Sequence, residues 1–440
     1  MTTLSPSQQN VVDSFPAFLM SDDWSMTITG FAGSGKSYLV EYLAYIGEKQ
    51  LQLIGTLDPA LPDRKLFFTA TTNKAAAVLH NMLGRPVSTI HSLLGLKVKN
   101  NYRTGLSKLE KTGKRVNLNH SLIFIDESSM INHELHVAIK DSVTSSEDCK
   151  VIFIGDKYQL PPVKENICPV FNESANTFFL KEIQRQVEDN PIIQLSSKYR
   201  EVLEDISLDW PIIPHDGKNI IMHNDKHSFF DAIKNAYTAP MEPEEYKIIA
   251  WSNARVQEYN KWVRSICGWK DHFEVGEYVT TNKPLFAQDK QIRLPTDERA
   301  EIVGISPHEV DGIQGYWIEL NRTEGVFFQP ANWADAIKLS KKFATDKNWR
   351  AYFNIKEQWA DLRPIYASTV HKSQGSTYRE VFVDLNNITK NNNWREVARL
   401  VYVAITRASE NVHLYGELKT TYNKKAVVNM MEPFKDVEFL

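Results

Sequence analysis

The sequence is poor in cysteine. It holds three in 440 residues, Cys149, Cys168 and Cys267, and no two form a Cys-x-x-Cys pair. That spacing argues against a disulfide scaffold and against a cysteine-rich zinc site. No apolar run approaches the ~20 residues that span a bilayer. Met1 to Asp13 has no basic segment leading into an apolar one, which speaks against a secretion signal. An excess of one charge is missing too: Lys plus Arg is 51, Asp plus Glu is 54, and the formal net charge is −3. This balance argues against a histone-like binder but leaves room for a local basic groove. There is no repeat of fixed period and no low-complexity tract, so solenoids are excluded. What is present is ordinary globular material, 42% apolar and 11% aromatic. At roughly 150 residues per domain the length suggests about three compact units of a cytoplasmic protein.

Between Ser25 and Ile154, short apolar runs alternate with helical patterns. Met26 to Thr29, Leu66 to Thr69, Leu122 to Ile125 and Val151 to Ile154 are continuous apolar segments. Such segments read as parallel strands covered on both faces, the mark of a wound α/β layer. The stretch from Leu93 to His120 breaks the pattern with seven cations against the single acid Glu110. Its turn-like centre, Asn100 to Gly105, predicts an inserted hairpin. A second α/β pattern starts near Lys247 to Trp251 and resumes at Ile365 to Ala367, Val381 to Val383 and Val412 to Tyr415. Between its halves, about Val275 to Val326 reads as short strands resembling a small β-barrel, and about Trp333 to Leu362 reads as helices. The aromatics of that helical stretch, Trp333, Phe343, Trp349, Tyr352, Phe353 and Trp359, are expected to build a small core rather than to stack bases.

Gly30-Phe31-Ala32-Gly33-Ser34-Gly35-Lys36-Ser37 fits G-x-x-x-x-G-K-[ST], with a strand before it and an amphipathic helix after it. Gly33, Ser34 and Gly35 would let backbone N–H groups wrap an anion, helped by the positive end of the helix dipole. Lys36 would reach the β- and γ-phosphates, and the Ser37 hydroxyl would bind Mg²⁺. Asp126 and Glu127 follow an apolar strand. A carboxylate there can hold Mg²⁺, a role for Asp126, while Glu127 could polarise the attacking water. These features support a P-loop ATPase and leave kinases, transporter subunits and AAA machines open.

Three further blocks narrow the class. Gly155-Asp156-Lys157-Tyr158-Gln159-Leu160-Pro161-Pro162 follows the fourth strand, with Gln159 placed to report a γ-phosphate. Ser368-Thr369-Val370-His371-Lys372-Ser373-Gln374-Gly375 and Val403-Ala404-Ile405-Thr406-Arg407-Ala408 come later. Together with Leu180 to Arg185, Asn190 to Ile193, Ala250 to Asn253 and Val275 to Phe286, they resemble the 5′-to-3′ (RecD/Dda-like) branch of the superfamily 1 helicases. The likeness is nearest to the Dda helicases of T-even bacteriophages. It spans essentially the whole chain and is weakest in the basic insertion and in Trp333 to Leu362.

The resemblance implies an α/β fold of two tandem RecA-like P-loop NTPase lobes, with Mg-ATP held between them. Lobe one would take residues 1–92 and 121–188, interrupted by a β-hairpin insertion at 93–120. Lobe two would take 189–274 and 364–440, interrupted by a β-barrel plus helical insertion at 275–363. It implies that Gln8 reads adenine and that Arg185 and Arg407 meet the γ-phosphate, Arg407 from lobe two. Single-stranded DNA would cross both lobes, met by Thr72, Thr89, His91, Asn253, Thr369 and His371. For His91 and His371 a packed structural histidine is nearly as good a reading. The family usually has proline where this chain has Thr71. Tyr102, at the centre of the basic hairpin, is the candidate for a strand-separating wedge; a solvated loop is the bland alternative. The implied activity is ATP-dependent 5′-to-3′ translocation on single-stranded DNA with unwinding of duplex DNA. The implied partners are single-stranded and forked DNA, with replication or recombination proteins beyond them; no membrane is expected, and a monomer would suffice. An RNA-directed helicase and an ATP-gated single-strand-binding or loading factor without unwinding stay open as alternatives.

Overall fold

The computed structural model describes residues 4–31, 33–57, 64–101, 107–111, 116–162, 165, 167–173, 176–182, 190–205, 208–239, 245–286 and 292–419. Its first half is built on β1 (Ser25–Gly30), β2 (Lys65–Ala70) and β3 (Val87–Thr89). A hairpin of β4 (Leu96–Asn100) and β5 (Ser107–Lys111) follows, and then β6 (Ser121–Asp126), β7 (Cys149–Gly155) and β8 (Thr177–Leu180). Six of these form one sheet in the order β3-β2-β6-β7-β1-β8, and every pair in it is parallel. The four apolar segments legible in the sequence are its central strands. Each is buried on both faces because one hydrophobic cluster (Val11, Phe15, Leu39, Phe124) lies on one side and another (Ile90, Ile123, Leu135, Phe153) on the other. β4 and β5 pair antiparallel outside that sheet, with Leu96 and Leu118 at the base buried in the second cluster.

The second half carries β9 (Ile220–His223) and β10 (Tyr246–Ala250). After them come β11 (Tyr278–Thr281), β12 (Leu285–Phe286), β13 (Ile292–Leu294), β14 (Arg299–Val310), β15 (Ile313–Leu320), β16 (Val326–Pro330) and β17 (Leu362–Pro364). The chain closes with β18 (Ala367–Thr369), β19 (Tyr378–Asp384) and β20 (Ala408–Tyr415). β18-β10-β19-β20-β9 form a second all-parallel sheet. Five of the intervening strands make a separate antiparallel sheet, β16-β15-β14-β11-β17, around Val279, Ile302 and Ile318, while among the described residues β12 and β13 pair only with each other. Two helices, Trp333–Thr345 and Trp349–Gln358, pack on that β-unit through Phe328, Ala336, Ile355 and Trp359. Phe353 and Trp359 are thus core residues, as the sequence suggested.

The β-unit is rooted in lobe two by a buried ion pair. Arg264, at the end of the helix Asn253–Ile266, meets the fully buried Glu277 with two N–H groups, at 2.6 and 3.0 Å. The same guanidinium donates to the carbonyls of Asp271 and His272, so its donors are met where water is absent. The two lobes themselves share one core. Phe31, Tyr158 and Leu160 of the first pack with the helix Pro191–Glu204 and the helix Trp394–Ile405 of the second. Among the described residues no helix is long and apolar enough to cross a membrane.

Candidate active site

β1 is buried along its whole length and delivers Gly30 to the floor of the cleft between the lobes. A side chain there would collide with Ser34 Oγ at 2.6 Å and Leu180 Cβ at 2.8 Å. Gly33 and Gly35 take φ of 81° and 74°, the left-handed region in which a Cβ is strained. The helix Lys36–Leu57 starts immediately after. Lys36 Nζ donates to the carbonyls of Gly30 at 2.8 Å and Phe31 at 2.7 Å, and Ser34 Oγ donates to the same Phe31 carbonyl. Ser37 is exposed at the helix start. Gln8 is buried with both ends of its amide engaged: Oε1 accepts from the Ser5 N–H, and Nε2 donates to the Ser34 carbonyl at 3.1 Å. It thereby ties the helix Pro6–Met20 to the loop. Glu182, which drew no notice in the sequence, anchors the start of that helix by accepting from the Ser5 and Ser7 hydroxyls.

Asp126 closes β6 and accepts the Glu127 N–H at 2.9 Å. Glu127 has φ 52°, a left-handed conformation that turns it away from the strand direction. Burial raises the Glu127 carboxyl to about 7, and the neighbouring Asp126 adds to the rise; Arg407 and Lys36 oppose it. Burial also raises Asp126, opposed by the Glu127 N–H and by Lys36. A divalent cation on Asp126 and the Ser37 hydroxyl fits this donor set, since it would favour the ionised carboxylate that burial disfavours. Thr71, where the resemblance leads one to expect proline, donates its hydroxyl to the Glu127 carbonyl at 3.1 Å. The substitution therefore holds the turn that carries Glu127.

Lobe two enters this cleft from the opposite side. Asp156, just past β7, accepts from the Tyr158 N–H and from the Tyr402 hydroxyl at 2.5 Å, a contact between lobes. Burial raises Asp156, while Lys36, Tyr402, Arg200 and Arg407 all favour its charged form. Gln159 is buried and faces Gln374 of lobe two at 3.4 Å. Arg407 is buried too, donating to the carbonyls of Val403 and Ser376 and to Thr406 Oγ1. Lys36 and Arg407, 371 positions apart by their numbers, thus act on the same two carboxylates. Arg185 lies outside the described residues.

On the carboxyl ends of the sheets, three of the candidate nucleic-acid residues share one local design. Thr72, Thr89 and Thr369 end β2, β3 and β18 or follow them directly, and each caps the next helix by accepting a backbone N–H at 3.1–3.3 Å. A hydroxyl used as an acceptor keeps its proton for a phosphate oxygen. Asn253 opens the helix that Ser252 caps. Asn253 and Thr369 come together in a cavity of about 720 Å³ where lobe one, lobe two and the β-unit meet. Six lysines and arginines line it, Lys74 and Arg299 among them, against Asp297 and Glu298. This is the local basic groove that the near-neutral composition allowed. Its members Lys247, Tyr278 and Arg299 were not legible as a set, because they come from segments that only the fold assembles. The Arg299 guanidinium lies 3.7 Å from the centre of the half-exposed Tyr278 ring. Thr72, Thr89, His91 and His371 are outside the cavity lining. Burial lowers both histidines from the ordinary imidazole value, which favours their neutral, hydrogen-bonding forms; at His371 the nearby Glu396 opposes the shift. Tyr102 lies outside the described residues; β4 and β5 on either side of it are paired.

Family models match both ends of this architecture: an AAA domain over residues 3–208 and a UvrD-like helicase C-terminal domain over 364–415. The ATP-dependent DNA helicase dda of Enterobacteria phage T4 is 23% identical, over 93% of this chain and 98% of its own length. The chain is thus similar to helicases of the RecD-, Dda- and Pif1-like branch of superfamily 1. An uncharacterized protein of Acanthamoeba polyphaga mimivirus is also 23% identical, over 88% of this chain and 94% of its own. A solved structure of two coordinating Pif1 helicases at forked duplex DNA has a TM-score of 0.51 at 16% identity, covering 99% of this chain and 98% of that one.

Proposed function

We propose that the chain is an ATP-dependent DNA helicase that moves 5′-to-3′ along single-stranded DNA and separates duplex ahead of it. The observation that carries this reading is the shared cleft, in which Lys36 of lobe one and Arg407 of lobe two both favour the charged forms of Glu127 and Asp156. Lys36 is placed to neutralise the β- and γ-phosphates and Arg407 to meet the charge that develops as the terminal P–O bond breaks. Glu127, with a carboxyl near neutrality, takes the proton of the attacking water, leaving ADP and phosphate. A Mg²⁺ ion on Ser37 and Asp126 would supply further charge neutralisation at the phosphates. One chain contains both sides of the cleft, so hydrolysis needs no second copy.

Movement follows from differential contact. A triphosphate favours the closed lobes because Arg407 gains a partner only there, and hydrolysis removes that preference. The basic cavity and the threonine-capped helix starts would hold the strand by its phosphates, without reading sequence. The β4–β5 hairpin, with Tyr102 near its tip, would split the duplex. The deciding experiment compares unwinding of 5′-tailed and 3′-tailed duplexes with Mg-ATP. Unwinding of the 5′-tailed substrate alone is expected; ATP turnover stimulated by DNA without unwinding of either would reduce the protein to a loading factor.

A further inference from the structure

The helix Pro191–Glu204 packs on lobe two through Ile192, Leu195 and Tyr199, yet one face grips lobe one. Arg200 lays its guanidinium over the Phe31 ring, 3.0 Å from the centroid. One turn on, Glu204 accepts from the Tyr158 hydroxyl and lies 4.0 Å from Lys157 Nζ. Phe31 is the second residue of the phosphate loop. Its ring is 5% exposed and edge-packed on Phe179, with Tyr158 beside it. Its carbonyl is the atom to which both Lys36 Nζ and Ser34 Oγ donate. Arg200 also favours the charged form of Asp156 from a distance, but no described carboxylate or carbonyl accepts a hydrogen bond from its guanidinium, so its close contact with lobe one is the ring face.

These contacts form a short chain from lobe two to the lysine: Arg200, the Phe31 ring, the Phe31 carbonyl, Lys36 Nζ. We infer that Arg200 is a positioning residue for Lys36, which reports the placement of lobe two to the phosphate loop through Phe31. Arg200 does not touch the nucleotide in this scheme. When lobe two shifts on DNA, the guanidinium carries the Phe31 ring with it. The carbonyl that holds the Lys36 ammonium then moves, and the lysine is released toward the phosphates or drawn back. A planar cation on a buried ring suits this task, because it is directional and stays charged at any working pH. Phe31 fills a variable position of the phosphate-loop motif, and Arg200 lies 169 positions further on by its number.

The inference rests on the ATPase reading above, and its test separates the two. Steady-state ATP turnover of the full chain is measured with and without oligo-dT for wild type, R200A, F31L, F31W and the R200A/F31L double variant. A wild type whose turnover ignores oligo-dT would defeat the functional reading itself. Otherwise, R200A and F31L should each lower the ratio of stimulated to unstimulated turnover about tenfold, with the KM for ATP within about twofold of wild type. F31W, which keeps an aromatic face, should retain a clearly higher ratio than F31L. The double variant should be no worse than either single one, since both remove the same contact. The inference is overturned if R200A keeps the wild-type ratio, or if the two losses multiply. A raised KM with unchanged kcat also overturns it, because Arg200 would then be a ground-state nucleotide contact. Should R200A fail to fold, F31L against F31W reads the same contact, and equal ratios in those two overturn it.

Discussion

At the end of β1 the chain turns through Gly30 to Ser37, where two glycines with positive φ wrap the backbone into a cradle. At the end of β10, in the corresponding strand–turn–helix of lobe two, the turn is Trp251-Ser252-Asn253. There the Asn387 side chain accepts the N–H groups of Trp251 and Ser252, at 2.8 and 2.9 Å. Both turns put N–H groups at the carboxyl edge of a parallel sheet. In one the glycines shape them for a ligand; in the other a side chain of the same lobe has already taken them. The duplicated architecture therefore does not give two equal nucleotide sites. On the proposed reading, lobe one would bind the triphosphate, and lobe two would contribute the cation and part of the nucleic-acid path.

This asymmetry can be broken at several points. The largest effect is expected from Arg407→Ala, which should keep ATP binding but lower DNA-stimulated turnover by about 10³; a turnover near wild type would leave lobe two without a catalytic part. Glu127→Gln should cost about 10² or more in kcat as the general base is lost. With Glu127 in place, turnover should fall as pH drops through about 7, because the carboxyl whose pKa is raised to that value takes up a proton and ceases to be a base. In Glu127→Gln that acid limb should vanish, and a limb that persists would assign it to another group.

Deleting Lys99 to Lys114 should abolish unwinding while sparing turnover stimulated by single strands. Loss of both would make the hairpin part of the general binding surface. Lys74→Ala should weaken single-strand binding and lower the slope of log K against log salt by about 0.7, one phosphate contact on a single strand; an unchanged slope would remove the cavity from the strand's path. The smallest effect belongs to the filled turn. Asn387→Ala leaves two N–H groups without their acceptor and should lower the melting temperature by about 2–4 °C without altering the affinity for ATP.

The features legible in the sequence are those whose residues are neighbours along the chain. Gly30 to Ser37 announces itself because one loop must satisfy several constraints within eight positions. The central strands do so because burial on both faces leaves continuous apolar runs. The edge strands β3, β8 and β9 carry weaker patterns, since each has a neighbour on one side only. The departure at Thr71 was visible, but its consequence was not: its partner, the Glu127 carbonyl, is 56 positions away and presented by a left-handed turn. Thr72, Thr89 and Thr369 could be picked as hydroxyl candidates; that each also caps a helix depends on three separate strand ends. Arg200 and Tyr278 left no trace, because a cation or an aromatic in a helix or strand looks ordinary until the fold sets another segment against it.

The Arg264–Glu277 pair bears on how force would travel. Its donors are all met inside the protein and Glu277 has no exposure, so separating the β-unit from lobe two would strand a charge in a dry interior. A soft hinge is unlike this joint. The inserted unit is accordingly seated firmly on lobe two, so that a rotation of that lobe would carry the unit with it as one body.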